Sequence, residues 1–161
     1  MKGIDIMKLK VLTLSALSAA FIFIATIIIQ IPNGIGGYIH FGDAMIFLFA
    51  YILPTPYAML AAGLGSCFAD LLSGYSIYVL PTFIIKALMA YCFKKQLNHP
   101  LVGYIFSISI LILGYFLVDA IIYQSFAIAF LSIVPNLMQG ITATILSQLL
   151  APMLKNMKVF S

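Results

Sequence analysis

Gly37-Tyr38-Ile39-His40-Phe41-Gly42-Asp43 decides how this chain is to be read. It follows the first long apolar run and places glycines, a tyrosine, a histidine and an aspartate where a helix is about to begin. The rest of the chain is 64% hydrophobic and 7% charged, with a mean hydropathy of +1.17. Soluble domains carry about 25% charged residues. The composition is that of an integral membrane protein, in which polar side chains need a reason. The reason argued from this stretch is a small-molecule pocket opening toward the outside of the cell.

Working outward, residues 11–31 form an apolar run of spanning length, since about 20 residues cross the hydrocarbon. A signal peptide would have an apolar core of only about 7–15 residues. Residues 1–10 read as a basic tail. Further spans are expected at about 41–53, 57–73, 80–93, 101–122 and 136–154, making one domain over residues 1–161. Pro54-Thr55-Pro56 makes a turn, because proline ends the hydrogen-bond ladder and restricts its predecessor. Pro81 falls in a first turn, where a missing N–H is harmless. The stretch from Tyr123 to Pro135 reads as a short helix at the outer surface. The 57–73 helix carries small residues at Ala58, Ala62 and Ser66, and again at Ala61, Gly65 and Ala69. Two such stripes mark a helix packed closely on more than one side.

The lysines give the orientation. With six spans, Lys2, Lys8, Lys10, Lys94, Lys95, Lys155 and Lys158 share one side, and the opposite loops hold none. The positive-inside rule then puts both termini in the cytoplasm. The expected architecture is an all-α, six-helix membrane bundle. The lysines flank apolar runs and form no basic face, so no nucleic-acid partner is expected.

The eighth lysine, Lys86, lies two turns into its helix. Asp43, Asp70 and Asp119 sit toward the outer ends of theirs. A charge in hydrocarbon costs about 3 kcal/mol even on the lenient insertion scale, so such groups turn inward and pair. Lys86 should meet Asp43 or Asp70. The alternative for all four is a purely structural role. The outer loops add Asn33, Tyr38, His40, Tyr75, Tyr78, Tyr123, Gln124, Asn136 and Gln139. Tyrosines also anchor membrane interfaces, which accounts for part of this set. Together, rings, amides and a Lys/Asp group make an apolar pocket with a few orienting polar groups, suited to a flat heterocycle.

Cys67 and Cys92 read as packing residues without a disulfide or metal. His40 and His99 fall on opposite sides and cannot share a metal. There is no phosphate-binding glycine loop, HExxH or GxSxG motif. No nucleophile–base pair supports an enzyme, and no cofactor is expected.

Three segments carry a family resemblance: Gly37-Tyr38-Ile39-His40-Phe41-Gly42-Asp43-Ala44; Gly63-x-Gly65 with Ala69-Asp70-Leu71-Leu72-x-Gly74; and Pro81-Thr82-Phe83-Ile84-Ile85-Lys86. With Ala16-xxx-Ala20 on the first helix, the chain resembles the substrate-binding (S) components of energy-coupling factor (ECF) vitamin transporters. Within them it resembles the branch covering riboflavin-type and pyrimidine- or pyridoxine-type carriers. The resemblance implies a bundle that binds one vitamin near the outer face. It implies docking through Ala16 and Ala20 onto a transmembrane coupling subunit driven by two cytoplasmic ATPases, in the plasma membrane of a prokaryote. Tyr38, His40, Asp43, Asp70, Tyr75, Tyr78, Lys86, Asp119, Asn136 and Gln139 are the candidates for binding the vitamin or supporting its pocket. Hydroxymethylpyrimidine, a thiamine precursor, and vitamin B6 are the favoured ligands, because no tryptophan is present to stack a larger flavin. The rival readings are a riboflavin carrier, a stand-alone channel or facilitator, and a ligand-free membrane scaffold.

Overall fold

The computed structural model describes residues 2–34 and 37–155. It is all-α apart from one small ribbon. The elements are α1 (Lys2–Ile28), β1 (Ile31–Pro32), β2 (Tyr38–Ile39), α2 (Gly42–Ile52), α3 (Thr55–Leu72), a 3-10 turn (Ser76–Tyr78), α4 (Val79–Lys95), α5 (Pro100–Ile122), α6 (Phe126–Leu131) and α7 (Ile133–Lys155). Large apolar side chains such as Leu12, Phe21, Leu64, Phe106, Leu117 and Leu149 point outward. With helices this apolar, the chain is a multi-pass membrane protein.

Four helical segments are long and apolar enough to cross a bilayer: Ile6–Ile28, Ser76–Lys95, Pro100–Ile122 and Phe126–Met153. Of the six spans expected, the described residues show four of this kind, and the helices at the other two places, α2 and α3, are shorter or less apolar. α2 has 11 residues, and at a rise of about 1.5 Å each it falls well short of a ~30 Å hydrocarbon layer. It sits inside the bundle instead, touching α1, α3, α4 and α7. Asp43, Ala44, Ile46, Phe47 and Ala50 are almost completely enclosed.

Other boundaries also differ from expectation. Residues 2–10 continue α1 and are not a separate tail, since lysine is a good helix former and nothing there breaks the ladder. α7 begins at Ile133. Pro135 is accommodated in its first turn, where amide hydrogens lack helical partners anyway. The expected short surface helix is α6, entered through Ser125, whose side chain accepts from the Ile128 amide at 3.4 Å. Lys158 and the rest of the stretch beyond Lys155, expected as a second basic tail, lie outside the described residues.

α3 is the most deeply packed long element, set between α1 and α4. Both of its small stripes are buried. A Cβ added to Gly65 would stand 2.6 Å from the Ala19 carbonyl oxygen on α1. At the end away from the ribbon, Phe47, Tyr51, Phe93 and Tyr104 form a ring cluster with centroid separations of 4.7–5.2 Å. Lys94 donates to the Tyr51 carbonyl there at 3.3 Å.

Candidate functional site

The site is built at the opposite end, where α1, α3 and α5 finish and α2, α4 and α7 begin. Local chain chemistry sets its rim. β1 and β2 pair antiparallel, Ile31 with Ile39 and Pro32 with Tyr38. The Asn33 side chain accepts from the Gly37 amide at 2.9 Å inside this hairpin. α3 ends in a Schellman motif, in which Tyr75 N–H reaches the Asp70 carbonyl at 2.8 Å and Gly74 takes φ +85°. Glycine suits that left-handed position. The motif brings Tyr75 back over Asp70. Gln30 Nε2 donates to Ser73 Oγ at 2.8 Å and ties the end of α1 to the same corner.

At the base lies the Lys86–Asp43 pair. Lys86 Nζ is 2.7 Å and 2.8 Å from the two Asp43 oxygens, and both side chains are fully enclosed. Gln139 Nε2 donates to Asp43 Oδ2 at 2.8 Å, while Gln139 Oε1 accepts from the His40 amide at 3.2 Å. One carboxamide from α7 therefore joins the buried pair to the ribbon segment, and its two ends are oriented by unlike partners. His40 Nδ1 accepts from the Gly42 amide at 3.0 Å, so the neutral ring carries its proton on Nε2. Burial pushes the His40 imidazole down to about 4, with Lys86 adding to the effect and Asp43 opposing it. His40 is uncharged at neutral pH.

Above the pair, two tyrosines hold two aspartates. Tyr38 Oη donates to Asp70 Oδ1 at 2.7 Å, and Tyr78 Oη donates to Asp119 Oδ1 at 2.7 Å. Burial and the neighbouring Asp70 carboxylate push the Tyr38 phenol well above its usual range, so it remains a donor. The rings stand close together, with Tyr38 5.0 Å from Tyr75, 5.4 Å from the His40 ring, and Tyr78 6.4 Å from Tyr115. Tyr115 shares a hydrogen bond of 2.9 Å with Thr82, and Lys86 Nζ lies 5.5 Å from its ring centre.

These groups surround a cavity of about 470 Å³, mouth included. Eight of the ten residues singled out from the sequence line it: Tyr38, His40, Asp70, Tyr75, Tyr78, Asp119, Asn136 and Gln139. Asp43 and Lys86 do not line it; they lie beneath and are reached through Gln139. Sequence reasoning passed over Tyr115 and did not carry Asn33 and Gly37 into the candidate set, though all three line the cavity. Tyr115 precedes Asp119 by one helical turn, so the two share a face, and that spacing was the available signal. On α1, Ala16 and Ala20 are exposed while Ser15 and Ser18 turn inward. Among the described residues no three His, Cys, Asp or Glu side chains group as a metal site.

Comparison with known proteins agrees with this architecture. The family model for the ECF-type riboflavin transporter, S component, matches residues 6–156. The chain belongs to the S-component family of ECF transporters, whose members are transporter subunits that bind small vitamins and work with ECF modules. It is 24% identical over 157 residues to the "Thiamine precursor transporter HmpT" of Lactococcus lactis subsp. cremoris (strain MG1363), covering 96% of this chain and 93% of the relative. It is 31% identical over 107 residues to an uncharacterized protein of Pyrococcus woesei, covering 62% of this chain and 72% of that one. No solved structure matches significantly.

Proposed function

We propose that this chain is the substrate-binding subunit for uptake of a small heteroaromatic vitamin or precursor, hydroxymethylpyrimidine or vitamin B6, across the plasma membrane of a prokaryote. It has no chemistry of its own. Its partners are a transmembrane coupling subunit, which meets α1 at Ala16 and Ala20, and two cytoplasmic ATP-binding subunits. The observation that carries the reading is the cavity itself. Tyr38, Tyr75, Tyr78 and Tyr115 give it ring-lined walls, and amides and carboxylates stand at fixed points between them.

The full-length similarity to a thiamine precursor transporter favours the pyrimidine. The description of the matching family model favours riboflavin instead. The two disagree, and the cavity supports the smaller ring: much of its space is mouth, and no tryptophan stands ready to stack a tricyclic flavin. Titration of the purified chain with hydroxymethylpyrimidine, pyridoxine and riboflavin tests this. Hydroxymethylpyrimidine or pyridoxine should bind most tightly. Tightest binding of riboflavin would replace the ligand assignment. Binding of none of the three below about 1 mM, or roughly −4 kcal/mol, would overturn the proposal.

A further inference from the structure

The cavity wall is unbalanced in charge. It carries Asp70 and Asp119, and among the described residues neither lysine nor arginine lines it. His40 is neutral. The nearest ammonium, Lys86, is enclosed and already holds both oxygens of Asp43. Among the described residues that is the salt bridge present, and neither Asp70 nor Asp119 takes part in one.

The two carboxylates are also spaced. Asp70 is on α3 and Asp119 on α5, and these helices are separated by α4. Each accepts a phenolic hydrogen through Oδ1, and the hydroxyls of Thr82 and Ser132 stand by Asp70 and Asp119 respectively; all of these partners are neutral. A phenol orients a carboxylate but does not neutralise it, and an ionised carboxylate has room for about four hydrogen bonds. Buried charges are ordinarily paired. Lys86 acts on Asp70 only from a distance, so a direct positive partner for either carboxylate would sit in the cavity.

Resting on the vitamin-binding reading, we infer that the cavity takes its ligand as a base. The ligand is a heteroaromatic ring bearing an amino group or a protonated nitrogen, without phosphate or carboxylate, its N–H groups set against Asp70 and Asp119. A charge-assisted N–H···O⁻ bond is about twice as strong as a neutral one, so an amine outcompetes a hydroxyl of the same size. A phosphate ester would meet two like charges and no cation, so the phosphorylated form of the same ring is rejected.

Two matched sets of probes test this on the intact purified chain. One is pyridoxamine, pyridoxine and pyridoxamine phosphate. The other is 4-amino-5-hydroxymethyl-2-methylpyrimidine, its 4-oxo counterpart and its phosphate ester. The amino member of each set should bind at least about tenfold tighter than its oxygen counterpart, and the phosphate ester should bind weakest. Asp70→Asn and Asp119→Asn should each shrink the amino preference while neutral members still bind. Equal affinity within a set, or tighter binding of the ester, overturns the inference and leaves the vitamin reading intact. An amino preference that persists in both folded variants removes the aspartates as its source and overturns it too. Failure of all six probes and of riboflavin would bring down the vitamin reading itself, and this inference with it. If either variant does not fold, the matched comparison on the unaltered chain decides.

Discussion

At the scale of single residues, the costliest arrangement is the enclosed Lys86–Asp43 pair. Removing one partner of a buried pair costs about 3–5 kcal/mol, whereas replacing both with apolar groups is often neutral or better. Lys86→Met should therefore lower the melting temperature sharply, and adding Asp43→Leu should recover most of the loss. Thermal unfolding in detergent distinguishes the two, and a double variant no better than the single would contradict the pairing. Ligand affinity should fall in both: the double variant loses the Asp43 contact that orients Gln139 in the cavity wall, and Lys86→Met leaves Asp43 without the ammonium that fixes it. This pair was legible in the sequence because a lysine deep in an apolar helix has so few tolerable states. Which aspartate it meets was not, because Asp43 and Asp70 lie at similar depth on different helices. Tyr115 was hidden by its surroundings: in a run as apolar as Ile110 to Val118, a tyrosine resembles packing until its partner Thr82 is placed beside it.

At the scale of elements, close packing rests on small residues on α3. Gly65→Ala would drive a Cβ into the backbone of α1 at Ala19. Overpacking of this kind costs about 1–3 kcal/mol, so the variant should melt earlier. Equal bulk added at exposed Ala16 or Ala20 should leave melting unchanged and reduce uptake in cells holding the full transporter. Unchanged uptake would remove that face of α1 as the docking surface. The small stripes on α3 predicted its central position well, since four-residue spacing is all that a close helix contact requires. The length of α2 was less legible. Composition gave its apolar character, but whether a short apolar run spans or nests among its neighbours is set by tertiary packing. The two-residue ribbon was likewise invisible, because its pairing depends on chain reversal near Gly34 (φ +80°) and not on any strand-like pattern.

At the scale of the whole molecule, the cavity and the ring cluster occupy opposite ends, and Lys94 and Lys95 lie with the cluster. If the positive-inside rule holds for this chain, the cavity faces outward. Single cysteines introduced into the Cys67→Ala/Cys92→Ala background check this. A cysteine at Gln124 should react with an impermeant thiol reagent in intact cells, and one at Asn98 only after permeabilisation. The reverse pattern would turn the cavity toward the cytoplasm.

The ring cluster of Phe47, Tyr51, Phe93 and Tyr104 carries a mechanical implication. Beneath the Lys86–Asp43 floor, these interlocked side chains form a stopper, with Tyr104 further fastened to Ser147 at 2.9 Å. The chamber is thus a cul-de-sac within the protein's own frame. On the function proposed above, a ligand held in the cavity would meet this packed floor and would have to leave by the mouth through which it entered.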